Sequence, residues 1–248
     1  MFKGFYTVGS GMIAQQRRTE LLSNNLANAK TPGFKEDQAS IRSFPEMLLS
    51  RLDRTNIPTS KGFQQKTLTR IGDVGTGVYM QETLPNFVTG SLLRTELSTD
   101  VALHDHYLAE DPETGKTGSI FFRLANPEGG EYYTRNGNFA IDNDGYLTAA
   151  NGDYVLDNEG NQIYLVDTDF IIDTDGRVIQ NDVEVGKLGV AYASDPEALT
   201  KQEDGLFVDA TGQMQDADTI DFMSYQTQQG YIESSNVDEG RTMTEMMT

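Results

Sequence analysis

The chain has 248 residues, no cysteine and a formal net charge of −19 at pH 7. A disulfide framework and thiolate metal sites are excluded, and the acidity argues against nucleic acid as a partner, which needs Lys and Arg to displace counterions. No apolar run nears the ~20 residues of a membrane helix, and the N-terminus shows no secretory signal with a cleavage site. The charge is uneven: residues 1–70 carry +6 and the remainder −25. This reads either as a solvated acidic surface or as a basic end that meets the acidic body of a neighbouring copy.

Residues 2–27 read as a helix. Phe5, Val8, Met12, Gln15, Thr19, Leu22 and Leu26 alternate spacings of three and four, a heptad seam with a polar centre at Gln15 and Thr19. Gly4, Gly9 and Gly11 each lower helix propensity by about 1 kcal/mol relative to Ala. Such a helix depends on packing, against its own domain or against another helix. In "SNNLANAKTPGFK", Pro32 stops the helix and Gly33 permits a tight turn before Phe34. Asn28 suits the last open backbone groups. Asn24 and Asn25 are poor core residues but good polar partners between closely packed helices.

Residues 36–83 form an extended or mixed connecting segment. "FPEMLLSRL" is compatible with a short helix from Pro45, "TNIPTSKG" with a loop, and "LTRIGDVGTGVYM" with extended chain. From residue 84 to 229 short apolar runs alternate with turn signals, which predicts an all-β, hairpin-rich domain. Candidate strands are "SIFFRL", "EYYTR", "NFAID", "YLTAA", "YVL", "IYLV", "FIID", "RVIQ", "KLGVAYA", "LFVD" and "DFMSY". Four connections place Asp first and Gly fourth: Asp142–Gly145, Asp157–Gly160, Asp173–Gly176 and Asp209–Gly212. Asp caps such a turn and Gly supplies the left-handed residue that closes it. Residues 230–248 return to helix. Asn236 and Glu239 have capping-box spacing, and Val237, Met243, Met246 and Met247 give an apolar face. The chain ends in mid-pattern at Thr248, as a truncated helix would.

No catalytic, metal or cofactor site emerges. An EF-hand loop needs oxygen ligands at positions 1, 3 and 5, Gly at 6 and Glu at 12. Framed on Gly145, Gly160 or Gly176, position 1 falls on Ala140, Val155 or Ile171, and none of the three frames has Glu at 12. His104 and His106, the two histidines, alternate in "HDH" and would share one strand face, but spacing indicates no third metal ligand nearby. No Gly-x-Ser-x-Gly elbow accompanies them, and "GDVGTG" lacks the Gly-Lys-Ser/Thr ending of a phosphate loop. The residues therefore predict no enzyme, no cofactor and no small-molecule substrate.

Three stretches carry a resemblance. "LLSNNLANAKTPGFK" resembles the N-terminal motif of the bacterial flagellar axial proteins of rod and hook. "YYTRNGNFAIDNDGYLTAANGDYVL" resembles the β-domain block of the rod and hook branch, and "GYIESSNVDE" the C-terminal lead-in to the second helix. Length and middle block are most similar to the distal-rod or hook-basal-body rod type. The resemblance implies a structural subunit of the flagellar basal body, outside the cytoplasmic membrane. Such subunits are exported through the type III apparatus, polymerise helically with themselves and with other rod and hook subunits, and transmit torque from motor to hook. It implies a mainly β fold in which residues 1–35 and 230–248 form a discontinuous helical assembly domain, its helices pairing as a coiled coil on assembly. Phe5, Val8, Met12, Leu22, Asn24, Asn25, Leu26, Asn28, Pro32, Gly33, Phe34, Ser235, Asn236, Val237, Met243 and Met246 would carry the subunit contacts. The chain departs from the family pattern in three places: its end at Thr248, the polar Glu239-Gly240-Arg241 after "SNVD", and the "HDHYLAEDPETGKTGSIFF" hairpin. Two alternatives stand beside this: the acidic turns suggest a secreted calcium-dependent β-rich binding module, and the resemblance itself admits a cell-wall glycosidase, since some flagellar proteins cut peptidoglycan, although the abundant carboxylates carry almost no information about that chemistry.

Overall fold

A computed structural model describes residues 3–57, 63–108, 117–126, 129–202, 205–220 and 224–247. Its first element is helix α1, Lys3–Ala27. Only one side of α1 is covered: Ser10, Gly11, Ala14, Arg18, Leu21, Leu22 and Asn25 are buried or half-buried, a line of mostly small or polar residues at helical spacing. The N-terminal part of the seam is bare, with Phe5, Val8 and Met12 each more than 60% exposed.

The chain divides into two compact units, Met1–Ser23 with Gln38–Leu84, and Asn24–Asp37 with Pro85–Thr248. The first unit joins most of α1 to four strands: β1 (Asp37–Ser43), β2 (Met47–Ile57), β3 (Phe63–Val74) and β4 (Val78–Pro85). β1 pairs with β4 and β2 with β3. "FPEMLLSRL" is thus strand rather than helix. Its partner decides the matter, since Met47 faces Val74 and the antiparallel register runs on to Ile57 and Phe63. Met47, Leu48 and Leu49 are all exposed, so no core face exists for a helix to bury. Thr55–Ile57 of the expected loop belong to β2, and residues 58–62 lie outside the described residues. The Gly-rich "GDVGTG" turns against α1. Gly77 has φ +139°, and a Cβ there would meet the Ser10 Oγ. Thr7 Oγ1 donates to the Thr76 carbonyl at 3.3 Å, and the Val78 amide donates to Ser10 Oγ at 3.3 Å.

The second unit is β-rich. Its strands are β5 (Leu92–Arg94), β6 (Val101–Tyr107), β7 (Ser119–Ala125), β8 (Glu131–Thr134), β9 (Phe139–Ile141), β10 (Leu147–Ala149), β11 (Ile171–Ile172), β12 (Arg177–Gln180), β13 (Val183–Lys187), β14 (Val190–Ala193), β15 (Thr200–Lys201), β16 (Leu206–Val208), β17 (Gln215–Asp216), β18 (Ser224–Gln229) and β19 (Tyr231–Glu233). A six-stranded sheet runs β15-β16-β8-β7-β14-β17, a three-stranded sheet runs β11-β12-β13, and β9–β10, β6–β18 and β5–β19 form pairs. β7 is central and buried on both faces, which explains the continuous run "SIFFRL". Ile120, Phe122 and Leu124 enter the main core, while Phe121 joins Phe207, Tyr133 and Leu199 in a second cluster. "YVL" and "IYLV" contribute isolated bridges, among them Thr148 with Tyr154 and Tyr146 with Tyr164. "DFMSY" is described only from Ser224, where β18 begins and runs on to Gln229.

The glycines of the four acidic turns all have φ between +72° and +89°. The leading Asp also acts as expected: Asp157 Oδ1 takes the amides of Glu159 and Asn161, and Asp209 Oδ1 those of Thr211 and Gly212. The second helix, α2, spans Glu239–Met247. Its cap is Asp238, whose Oδ1 accepts from the Arg241 amide at 3.0 Å, and not Asn236, which is engaged elsewhere.

Candidate functional site

The three motifs singled out above converge on one buried ion cluster in the second unit. Glu233 closes β19, the strand that leads toward α2, and is 1% exposed. Its Oε1 accepts from Lys35 Nζ at 2.6 Å and from the Gly90 amide at 2.8 Å. Its Oε2 accepts from Arg135 Nε at 2.7 Å. Arg135 then extends its fork to Asp105, Nη1 to Oδ1 at 3.1 Å and Nη2 to Oδ2 at 3.0 Å, and Nη1 also donates to the Ile120 carbonyl. Lys35 completes its shell at the Val88 carbonyl, 3.0 Å away. One carboxylate therefore ties the end of the N-terminal turn and the C-terminal strand to the β body.

Burial alone would push the Glu233 carboxyl up. The charges of Arg135 and Lys35, with their hydrogen bonds, outweigh it and hold Glu233 below the ordinary carboxylate value. Lys35 bears the burial more heavily: desolvation, helped by the charge of Arg135, keeps its ammonium below the usual lysine value despite Glu233. Arg135 stays fully charged, because Glu233 and Asp105 more than offset its desolvation.

The turn that delivers Lys35 is built residue by residue. Asn28 Nδ2 donates back to the Asn24 carbonyl at 3.0 Å, and its backbone amide bonds Asn24 and Asn25. Thr31 Oγ1 donates to Asn28 Oδ1. Gly33 has φ +69°, and a Cβ on it would lie 2.5 Å from backbone atoms of Arg135 and Asn136. Its amide donates to the Glu233 carbonyl at 2.8 Å. Phe34 is buried under Lys201, whose Nζ sits 4.2 Å from the ring centroid and 2.8 Å from both Asp37 carboxylate oxygens.

Two asparagines hold backbone on either side. Asn25, fully buried, donates Nδ2 to the Asp37 carbonyl at 2.9 Å and accepts from the Asp37 amide at 3.0 Å. Asn236 accepts from the Glu36 amide at 2.7 Å and donates to the carbonyls of Asn86 and Val88.

Residues 117–205 match the family model described as the flagellar hook protein FlgE/F/G D1 domain, and residues 5–35 that of the flagella basal body rod protein. Over 247 residues the chain is 39% identical to the flagellar hook-basal body complex protein FlhO of Bacillus subtilis, covering 99% of this chain and 88% of FlhO. The chain belongs to the flagellar rod and hook-basal body family. It is also 28% identical to the flagellar basal-body rod protein FlgG of Borreliella burgdorferi, with 100% and 89% covered. With the flagellar basal-body rod protein FlgF of Caulobacter vibrioides it shares 26% identity, over 96% and 83% of the two chains. The family places it in the flagellar basal body. The calcium-dependent module finds no support among these relatives.

Within this family member the residues expected at subunit contacts fall into two groups. Phe5, Val8, Met12 and Met243 are exposed, as is Asn24. Leu22, Asn25, Gly33, Phe34 and Val237 are buried within the chain, and Leu26, Asn28, Pro32, Ser235, Asn236 and Met246 are half-buried. Lys35, Arg135, Asp105 and Glu233 received no role from the sequence. All four lie inside stretches quoted for other reasons, and nothing in one sequence pairs a lysine at 35 with a glutamate at 233.

Proposed function

We propose that this chain is a structural subunit of the flagellar rod, of distal-rod type, that polymerises helically and transmits torque from motor to hook. The observation that carries the reading is the Glu233 cluster, which joins both terminal segments to the β body through charged groups removed from water. A torque-bearing subunit needs such a joint, because load must pass along the chain between its terminal segments and the body. The terminal helices would pair as a coiled coil on assembly, and the bare seam of Phe5, Val8 and Met12 supplies an apolar face for it. The basic first 70 residues and the acidic remainder suit contacts between successive copies and with other axial subunits. Passage through the type III export apparatus and the lack of any catalytic role complete the proposal.

The cysteine-free chain makes the test direct. Met12→Cys and Met243→Cys, introduced together and oxidised in isolated basal bodies, are expected to give a ladder of cross-linked oligomers. Basal bodies that contain the double variant but yield no inter-subunit cross-link would overturn the helix-pairing part of the proposal.

A further inference from the structure

His104 and His106 lie outside everything the ion cluster and the assembly reading use. They alternate along β6 and so share its outer face, while Asp105 between them turns inward to Arg135. Both histidines are exposed. Their ring centroids are 4.6 Å apart with a 48° tilt. Among the described residues neither imidazole has a hydrogen bond or an ion pair.

We propose that His104 and His106 form a two-nitrogen chelate for a borderline divalent transition metal, of the Cu²⁺, Ni²⁺ or Zn²⁺ class. The spacing fits. Imidazole nitrogens bind such ions at about 2.0–2.1 Å, and two rings held in neighbouring coordination positions have centroids roughly 4.5–5 Å apart. The strand backbone fixes both Cβ positions, so the chelate closes by rotation of side chains alone. Imidazole is the preferred donor for these ions, with Cu²⁺ held most tightly of the first-row series. The strongly acidic body raises the local concentration of any divalent cation. No group of three or more His, Cys, Asp or Glu fit to hold a metal occurs among the described residues, so the proposal rests on the two imidazoles alone. The site is a surface chelate and not a closed structural centre.

The test uses the untagged chain and Cu²⁺ alone, followed by calorimetry and electron paramagnetic resonance. One equivalent should bind with the hyperfine pattern of two imidazole nitrogens, in millimolar Ca²⁺ as well as without it. His104→Ala and His106→Ala should each lower the affinity at least tenfold. Equal affinity in the double variant would assign the ion to surface carboxylates and overturn the proposal, as would the absence of a two-nitrogen signal in excess Cu²⁺. A second measurement needs no variant: Ni²⁺ should protect both histidines together from diethyl pyrocarbonate, and protection of neither would equally sink the chelate.

Discussion

Glu233 and Lys35 are separated by 198 residues of chain and by 2.6 Å in space, with both side chains at most 2% exposed. Arg135 binds the other oxygen of the same carboxylate. Removing the shared partner strips the buried Lys35 of its carboxylate and leaves Arg135 with Asp105 alone, whereas removing Lys35 leaves a complete Arg135–Glu233 pair. Glu233→Ala is therefore expected to destabilise the second unit by about 3–5 kcal/mol. Lys35→Met should cost distinctly less. Urea denaturation of the two variants beside the parent chain checks the order, and an equal loss from both would show that the cluster does not act through Glu233.

The same cluster predicts acid lability. The folded-state pKa of Glu233 lies below the ordinary glutamate value, as does that of Glu131 beside Arg123, and that of Asp218 beside Lys187 and Asn158 lies below the ordinary aspartate value. On acidification the unfolded chain takes up protons first, so stability present above the ordinary carboxylate range is lost as pH falls through the depressed values. Melting temperature should hold from pH 7 to about 5 and then fall steeply. Glu233→Gln should melt lower at pH 7 and show a shallower acid limb, because one proton-linked group is gone. Parallel curves for the two proteins would assign the acid limb to other carboxylates.

Glycine positions separate two physical costs. Gly212 has φ +72° with nothing within 4 Å of an added Cβ, so Gly212→Ala should cost only the left-handed penalty of about 1–2 kcal/mol. Gly33 has nearly the same φ, but its Cβ would overlap the backbone of Arg135 and Asn136. Gly33→Ala is expected to cost clearly more and to loosen the N-terminal turn. Hydrogen exchange at the Gly33 amide, bonded to the Glu233 carbonyl, reports that loosening directly.

Asn25→Ala removes both a donor and an acceptor from Asp37 in a fully buried place. The stranded backbone groups should cost about 1–3 kcal/mol each if no water replaces them. Protection of the Asp37 amide should vanish while the core strand β7 stays protected. Loss of protection across both would mean that Asn25 supports the whole fold and not one joint.

What the sequence made legible was local. The end of α1 is set by Pro32 and Gly33, and the acidic turns by Asp and Gly at fixed offsets, so both could be read from neighbours in the chain. The β2 strand could not, because Met47-Leu48-Leu49 has no decisive period and only pairing with β3 selects the extended form. The α2 cap was misplaced for a related reason. Asn236 and Asp238 carry equivalent capping groups, and the distant amide of Glu36 takes Asn236, leaving Asp238 to start the helix. The ion cluster was illegible in the same sense: its four charged residues come from four separated segments, and only the tertiary fold brings them together.

The bare seam of α1 gives the last prediction. Phe5, Val8 and Met12 are exposed while Ala14 faces inward, so in the N-terminal half of the helix the face that packs within the chain is not the face with the heptad pattern, whereas Leu22 and Leu26 at the other end of the seam are covered. The two faces should respond separately to substitution. Met12→Asp is expected to leave the melting temperature of the isolated chain within about 1–2 °C of the parent, since surface changes of this kind shift stability by less than about 0.5 kcal/mol. In cells it should abolish incorporation into basal bodies, and with it motility, because a carboxylate in an apolar helix seam stays unpaired and desolvated. Ala14→Asp should do the reverse, lowering the melting temperature of the isolated chain before assembly begins. A Met12→Asp chain that assembles and supports swimming would show that the seam meets water in the rod, and the coiled-coil reading would fall.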